Sequence, residues 1–132
     1  MSGSLDTNIL LRLIVGDVAA QTAAADGLID ITPSSLAVAD AVFIELEYAL
    51  RAHYSLDRRE VAIALIEVAT NPKINCNKLL IQNAMSMYVD HPALSFTDIC
   101  LAAYARISNH LPLHTFDKKL AIQHQDAELL TI

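Results

Sequence analysis

A chain of 132 residues and 14.4 kDa, 54% apolar, with mean hydropathy +0.38 and only three Gly and four Pro, is expected to form one domain over residues 1–132. Chains of this size bury ~68% of their unfolded surface, and 18% charged residues on so apolar a background exclude disorder. The formal charge of −6 supplies no global basic field for nucleic acid or an anionic membrane, and Cys76 and Cys100 are too few for a disulfide framework and suit a reducing cytosol.

The start, MSGSLDTN, has no basic n-region and places Asp6 before the first apolar stretch, so no secretory signal is expected. A short strand is predicted over 3–6, although Ser2-Gly3-Ser4 begins it poorly, followed by a helix over 8–15 that stops at Gly16-Asp17. Helix 18–30 runs to the turn Thr32-Pro33-Ser34-Ser35. Strand 36–39 then precedes helix 41–54, with Asp40 as its expected cap. Asp57-Arg58-Arg59-Glu60 has the spacing of a capping box and opens helix 58–69. Asn71-Pro72 leads into strand 74–76, helix 78–90 and the turn at Asp90-His91-Pro92. Helix 98–108 holds the longest wholly apolar run, Ile99 to Ala105, far short of the ~20 residues of a membrane span. No membrane partner is therefore expected. After Leu111-Pro112 come strand 112–116, helix 118–123 and strand 128–132. The alternation predicts an α/β fold with a parallel sheet covered on both faces.

Four acids lie against apolar sequence: Asp6 after the first strand, Glu45 inside a helix, Asp98 opening a helix and Asp117 after the fourth strand. Each also has a purely structural reading. Asp6 and Asp117 suit N-caps, and Asp98 suits a first helical turn capped by Ser95. Topology changes the weighting. In a right-handed parallel α/β fold, strand C-termini and helix N-termini share one sheet edge, where such sheets place their ligands. Gathered carboxylates repel, by roughly 3 kcal/mol for two unit charges ~5 Å apart at an effective dielectric of ~20. Caps alone do not require that gathering. A divalent cation does, and hard oxygen donors select Mg²⁺ or Mn²⁺. An acidic pocket so loaded becomes a phosphate acceptor.

Two glutamates compete on the third helix. Val42, Phe43, Leu46, Ala49, Leu50 and His53 form its apolar stripe, with Glu45 and Glu47 at opposite borders. Arg51 stands four residues after Glu47, which predicts a solvent-facing pair. Glu45 lies among Ala41, Tyr48, Ala49 and Ala52 with no cation in helical reach, and is expected to be half-buried. An unpaired acid there is costly unless compensated, which singles out Glu45 as functional. The alternative is that it reaches water past the small alanines.

These residues carry a resemblance. Leu5-Asp6-Thr7-Asn8-Ile9-Leu10-Leu11-Arg12-Leu13-Ile14-Val15-Gly16-Asp17 resembles the opening of PIN-domain ribonucleases, most of all the VapC-type toxins of type II toxin–antitoxin pairs. Phe43-Ile44-Glu45-Leu46-Glu47-Tyr48-Ala49-Leu50-Arg51 is similar to their second acidic motif, Ser95-Phe96-Thr97-Asp98-Ile99 to the third and Thr115-Phe116-Asp117-Lys118-Lys119-Leu120 to the fourth. The likeness runs from Leu5 to the C-terminus in family order. It implies a three-layer α/β/α fold with a five-stranded parallel sheet, order 3-2-1-4-5. It also implies a Mg²⁺- or Mn²⁺-dependent endoribonuclease acting on RNA, cytoplasmic, usually a homodimer silenced by a cognate antitoxin. By carry-over, Asp6, Glu45, Asp98 and Asp117 hold the metal and are catalytic. Thr7, Asn8 and Thr115 are candidates for polar support to them, and Arg12, Lys118 and Lys119, the nearest cations in sequence, are candidates for flanking phosphates, the alternative for Lys118 and Lys119 being a solvated helix turn.

The sequence departs from the family at three places. Ser2-Gly3-Ser4 stands where the first strand is usually apolar, Ser95 where many members carry another acid, and His114 where the strand is commonly apolar. His114 reads as a core histidine or an RNA contact. A phosphate-accepting receiver domain would need an Asp ending the third strand, where Lys73-Ile74-Asn75-Cys76-Asn77 stands. A zinc site on His110 and His114 is opposed by the intervening Pro112. A non-catalytic PIN-type binding module and a housekeeping nuclease without an antitoxin are the remaining alternatives.

Overall fold

The computed structural model describes residues 3–132, which form two compact units divided between Asn77 and Lys78. In the first unit, α1 (Thr7–Val15) is opened by Asp6 and closed by Gly16, whose φ of 69° lies in the left-handed region. There the Gly16 N–H donates to the Arg12 carbonyl, so this turn needs a residue without a Cβ. Lys73 closes α2 (Ala19–Ile31), donating from Nζ to the Ile29 carbonyl at 3.1 Å and to that of Thr32. The cation thus meets the negative end of the helix dipole. After β1 (Leu36–Ala37) come α3 (Asp40–Ala52), α4 (Arg58–Thr70) and β2 (Ile74–Asn75). Asp57 and Glu60 form the predicted capping box at the start of α4.

β1 and β2 pair in parallel, Leu36 with Ile74 and Ala37 with Asn75. On its other side Ala37 makes a parallel bridge with Ser4, as the Leu5 N–H donates to the Ala37 carbonyl at 2.9 Å. The predicted strand over 3–6 is therefore a single bridge, consistent with the poor strand propensity of Gly3 and Ser4. Leu10, Phe43, Leu46, Leu50, Val61 and Leu65 bury almost completely beneath the helices, at roughly 1.5–3 kcal/mol each. This packing fixes α1 against both α2 and α3.

The second unit contains α5 (Lys78–Tyr88), α6 (Phe96–Ile107), β3 (Leu113–Thr115), α7 (Lys118–Gln123) and β4 (Ala127–Leu129). Ala84, Ala102 and Ala103 are buried, and small side chains allow close approach where α5 meets α6. Tyr88 and Phe96 meet edge to face with ring centroids 5.4 Å apart. β3 and β4 pair in parallel, Leu113 with Ala127 and Thr115 with Leu129. Arg106 grips the buried Asp126 through two bonds of 2.7 and 2.6 Å, while the Asp126 N–H donates to His124 Nδ1 at 3.1 Å.

The class is α/β, as expected, with short parallel strands. Among the described residues the strands form two parallel two-stranded ladders, one within each unit, and a five-stranded sheet is not shown. Only a few residues separate each turn signal from the next helix start, so the ladders stay short. Asp40 is not the cap of α3; the cap is Ala39, and Asp40 is the first helical residue. α6 starts at Phe96, two residues before the predicted 98, because Ser95 caps it. Among the described residues no single helix is long and apolar enough to cross a membrane.

Candidate acidic site

Asp6 ends the first extended segment with φ −91° and ψ 176°, and its Oδ1 accepts from the Ile9 N–H at 3.2 Å. It caps α1 and is exposed. The next residue, Thr7, donates from its hydroxyl to Glu45 Oε2 at 3.1 Å. Thr7 follows Asp6 directly, so this bond ties the strand-end acid to the middle of α3. Packing of α1 against α3 sets the contact, and nothing in either local sequence specifies it.

Glu45 is exposed, not half-buried: Ala41 and Ala52 are too small to cover it, and Tyr48 is itself 55% exposed. Glu47 is the buried one. Its side chain is only 6% accessible, and Arg51 Nε donates to its Oε2 at 2.8 Å. Burial extends further on the Glu47 side than the spacing of the apolar stripe predicts, and Arg51 supplies the charge that burial demands.

In the second unit Asp98 is half-buried in the first turn of α6, and its N–H donates to the Ser95 hydroxyl at 3.1 Å. Ser95 works here as the helix cap. Asp117 caps α7 by accepting from the Leu120 N–H at 3.1 Å, and its own N–H donates to Thr115 Oγ1 at 3.0 Å. Thr115 therefore orients the backbone that carries Asp117. In both capping residues the bond occupies Oδ1 alone, so Oδ2 is not used by the helix.

Within either unit, among the described residues, no three His, Cys, Asp or Glu side chains gather into a metal-holding group. The donor chemistry nevertheless fits a hard cation, because Asp6 and Glu45 offer only carboxylate oxygens and Thr7 adds a hydroxyl. Asn8, Lys118 and Lys119 are exposed. His114 is exposed as well and is no core histidine, because it sits on the outward face of the short β3.

Arg12 is engaged within its own unit. Its Nη1 donates to Asp17 Oδ1 and, at 3.2 Å, to the Tyr54 hydroxyl, which in turn donates to Asp17 Oδ2 at 3.1 Å. The Tyr54 and Asp17 hydrogen bonds raise the Arg12 pKa, and the Arg12 bond holds the Asp17 carboxyl below its ordinary range. Sequence reasoning missed both partners. Asp17 was detectable as an acid just across the Gly16 turn from Arg12, whereas Tyr54 is 42 residues away and carries no local signal. Arg12 also lines an open groove of about 410 Å³ together with Asp6, Asn8 and Gln21.

Among curated proteins and among solved structures no match is found. Residues 4–124, a span that reaches into both units, match a family model described as the PIN domain.

Proposed function

We propose, from the premise that this chain belongs to the PIN domain family, that it is a Mg²⁺- or Mn²⁺-dependent endoribonuclease and the toxin of a toxin–antitoxin pair. PIN domains are in general nucleases and typically use divalent metal ions. The finer reading is supported by the four acidic motifs standing in family order, and above all by the Thr7–Glu45 hydrogen bond. That contact links the first two motifs, 38 residues apart, through the residue beside Asp6.

Asp6, Glu45, Asp98 and Asp117 are the proposed metal-holding and catalytic acids. Asp6 keeps its helix cap through Oδ1 and offers Oδ2, while the Thr7 hydroxyl holds one oxygen of Glu45 in place. A divalent cation bound by such acids supplies Lewis acidity toward water and a phosphate oxygen. The proposal extends to an RNA substrate, a cytoplasmic setting, self-association as a homodimer and silencing by a cognate antitoxin.

The test incubates the purified protein with a mixed RNA pool in Mg²⁺, in Mn²⁺ and in EDTA, beside the Asp6→Asn variant. Asparagine caps a helix about as well as aspartate, so the unfolding free energy should change by less than about 1 kcal/mol. Cleavage should need metal and vanish in the variant. Cleavage that survives EDTA or Asp6→Asn refutes the metal reading, and no cleavage of any RNA refutes the nuclease reading.

A further inference from the structure

We propose that the groove between α1 and α2 is a nucleobase subsite, which receives the base of a nucleotide flanking the phosphate to be cut; this rests on the endoribonuclease reading. Asp6, one of the acids that the reading places at the reaction, lines the groove. Ile9 and Leu28 give it apolar surface, and Asn8 and Gln21 give it side-chain amides. Neither amide has a hydrogen-bond partner among the described residues, and both residues are exposed.

The charge of the groove selects the ligand. Arg12 is its one cation, but Asp17 neutralises it and Tyr54 fixes it in place. With Asp6 at the edge, the balance does not favour a second phosphate. A neutral planar group with both donors and acceptors along its rim fits better. Single-stranded RNA offers such a group in its splayed bases, which proteins read along their edges with amide side chains and against apolar or guanidinium surfaces. A volume of about 410 Å³ admits one base with room for its sugar.

The test titrates short single-stranded RNAs rich in A, C, G or U into the full chain in Ca²⁺, a hard cation that neutralises the acids in the absence of Mg²⁺ and Mn²⁺, with the side-chain amide resonances of Asn8 and Gln21 as the readout. Cleavage of the same RNAs is then followed in Mn²⁺. Binding should shift both amides, and affinities should differ by about fivefold or more, the lower end of what one amide–base pairing supplies. The double change Asn8→Ala and Gln21→Ala, at exposed helical positions that tolerate alanine, should erase that difference. Binding that leaves the amides unshifted, equal affinities for the four RNAs, or a preference that survives the double change overturns the subsite, as does failure to bind any of them. Shifts with discrimination but no cleavage in Mn²⁺ would uphold the subsite and sink the nuclease reading instead.

Discussion

Thr7→Val isolates one hydrogen bond. Valine keeps the β-branched shape of threonine and removes the hydroxyl that donates to Glu45 Oε2 at 3.1 Å. Thr7 is the first residue of α1, where one more methyl in place of the hydroxyl disturbs neither the cap made by Asp6 nor the buried Leu10 and Leu11. Stability should therefore change by only about 0.5 kcal/mol. A bond to a charged acceptor is worth ~1.5–3 kcal/mol when protected, but Glu45 is open to water, so roughly 0.5–1.5 kcal/mol remains for holding its carboxylate. That range corresponds to a cleavage rate lowered about two- to tenfold. Removing the charge itself in Glu45→Gln should cost a hundredfold or more. The assay compares cleavage rates across a Mn²⁺ titration for wild type, Thr7→Val, Thr7→Ser and Glu45→Gln. Thr7→Val should need more Mn²⁺ for half-maximal rate, and Thr7→Ser, which restores the hydroxyl, should recover most of the loss. If Thr7→Val matches wild type, or if Thr7→Ser fails like Thr7→Val, the hydroxyl does not position Glu45.

Glu47→Gln should act on stability and spare the chemistry: the change weakens a pair with Arg51 whose acid is buried, at about 0.5–2 kcal/mol by urea denaturation, with turnover retained. Inactive but stable Glu47→Gln protein would mean that α3 faces the site the other way. Acid should loosen the second unit. Burial pushes the His124 imidazole below its ordinary 6.5, and the Arg106 bonds push the Asp126 carboxyl below its ordinary 3.8, with His91 the further charge facing His124. Both folded pKa values lie below the unfolded ones, so each contributes stability above the unfolded value that is lost as pH falls through the folded one. Unfolding free energy should thus fall from about pH 6.5 downward, and His124→Asn should flatten the first part of that decline; an unchanged slope removes His124 as its source. Light scattering at tens of micromolar should give twice the 14.4 kDa chain mass, and a strict monomer would dismiss the dimer.

Much of the fold was legible because its helices carry explicit stops and starts. Gly16 ends α1 in the left-handed conformation, Asp57 and Glu60 open α4 as a reciprocal box, and Ser95 opens α6. The sheet was less legible. A strand of two or three residues has no periodicity to read, so ladder membership depends on partners far along the chain, as Leu36 depends on Ile74. The two glutamates of α3 mark the same boundary within the candidate site. Their spacing puts them on opposite borders of one stripe and carries no further information. What decides between them is tertiary: Thr7 arrives at Glu45 from 38 residues away, and the core closes over Glu47. Arg12 likewise reads as an available cation in the sequence, whereas in the fold Asp17 and Tyr54 occupy its guanidinium.

Capping and metal binding are not competing explanations for Asp6 and Asp117. A chain leaving an extended segment and entering a helix exposes backbone N–H groups at that junction, and a carboxylate there is held by the third residue onward. In an α/β fold that same junction lies on the edge where ligands bind. The cap therefore fixes the direction of a carboxylate whose Oδ1 serves the helix, and the ligand reading needs only Oδ2. A substitution that keeps the first role and removes the second separates them, and aspartate to asparagine does so at each position. If Asp117→Asn leaves both melting temperature and cleavage unchanged, Asp117 is a cap alone; a stable fold with cleavage lost requires the second oxygen and its charge.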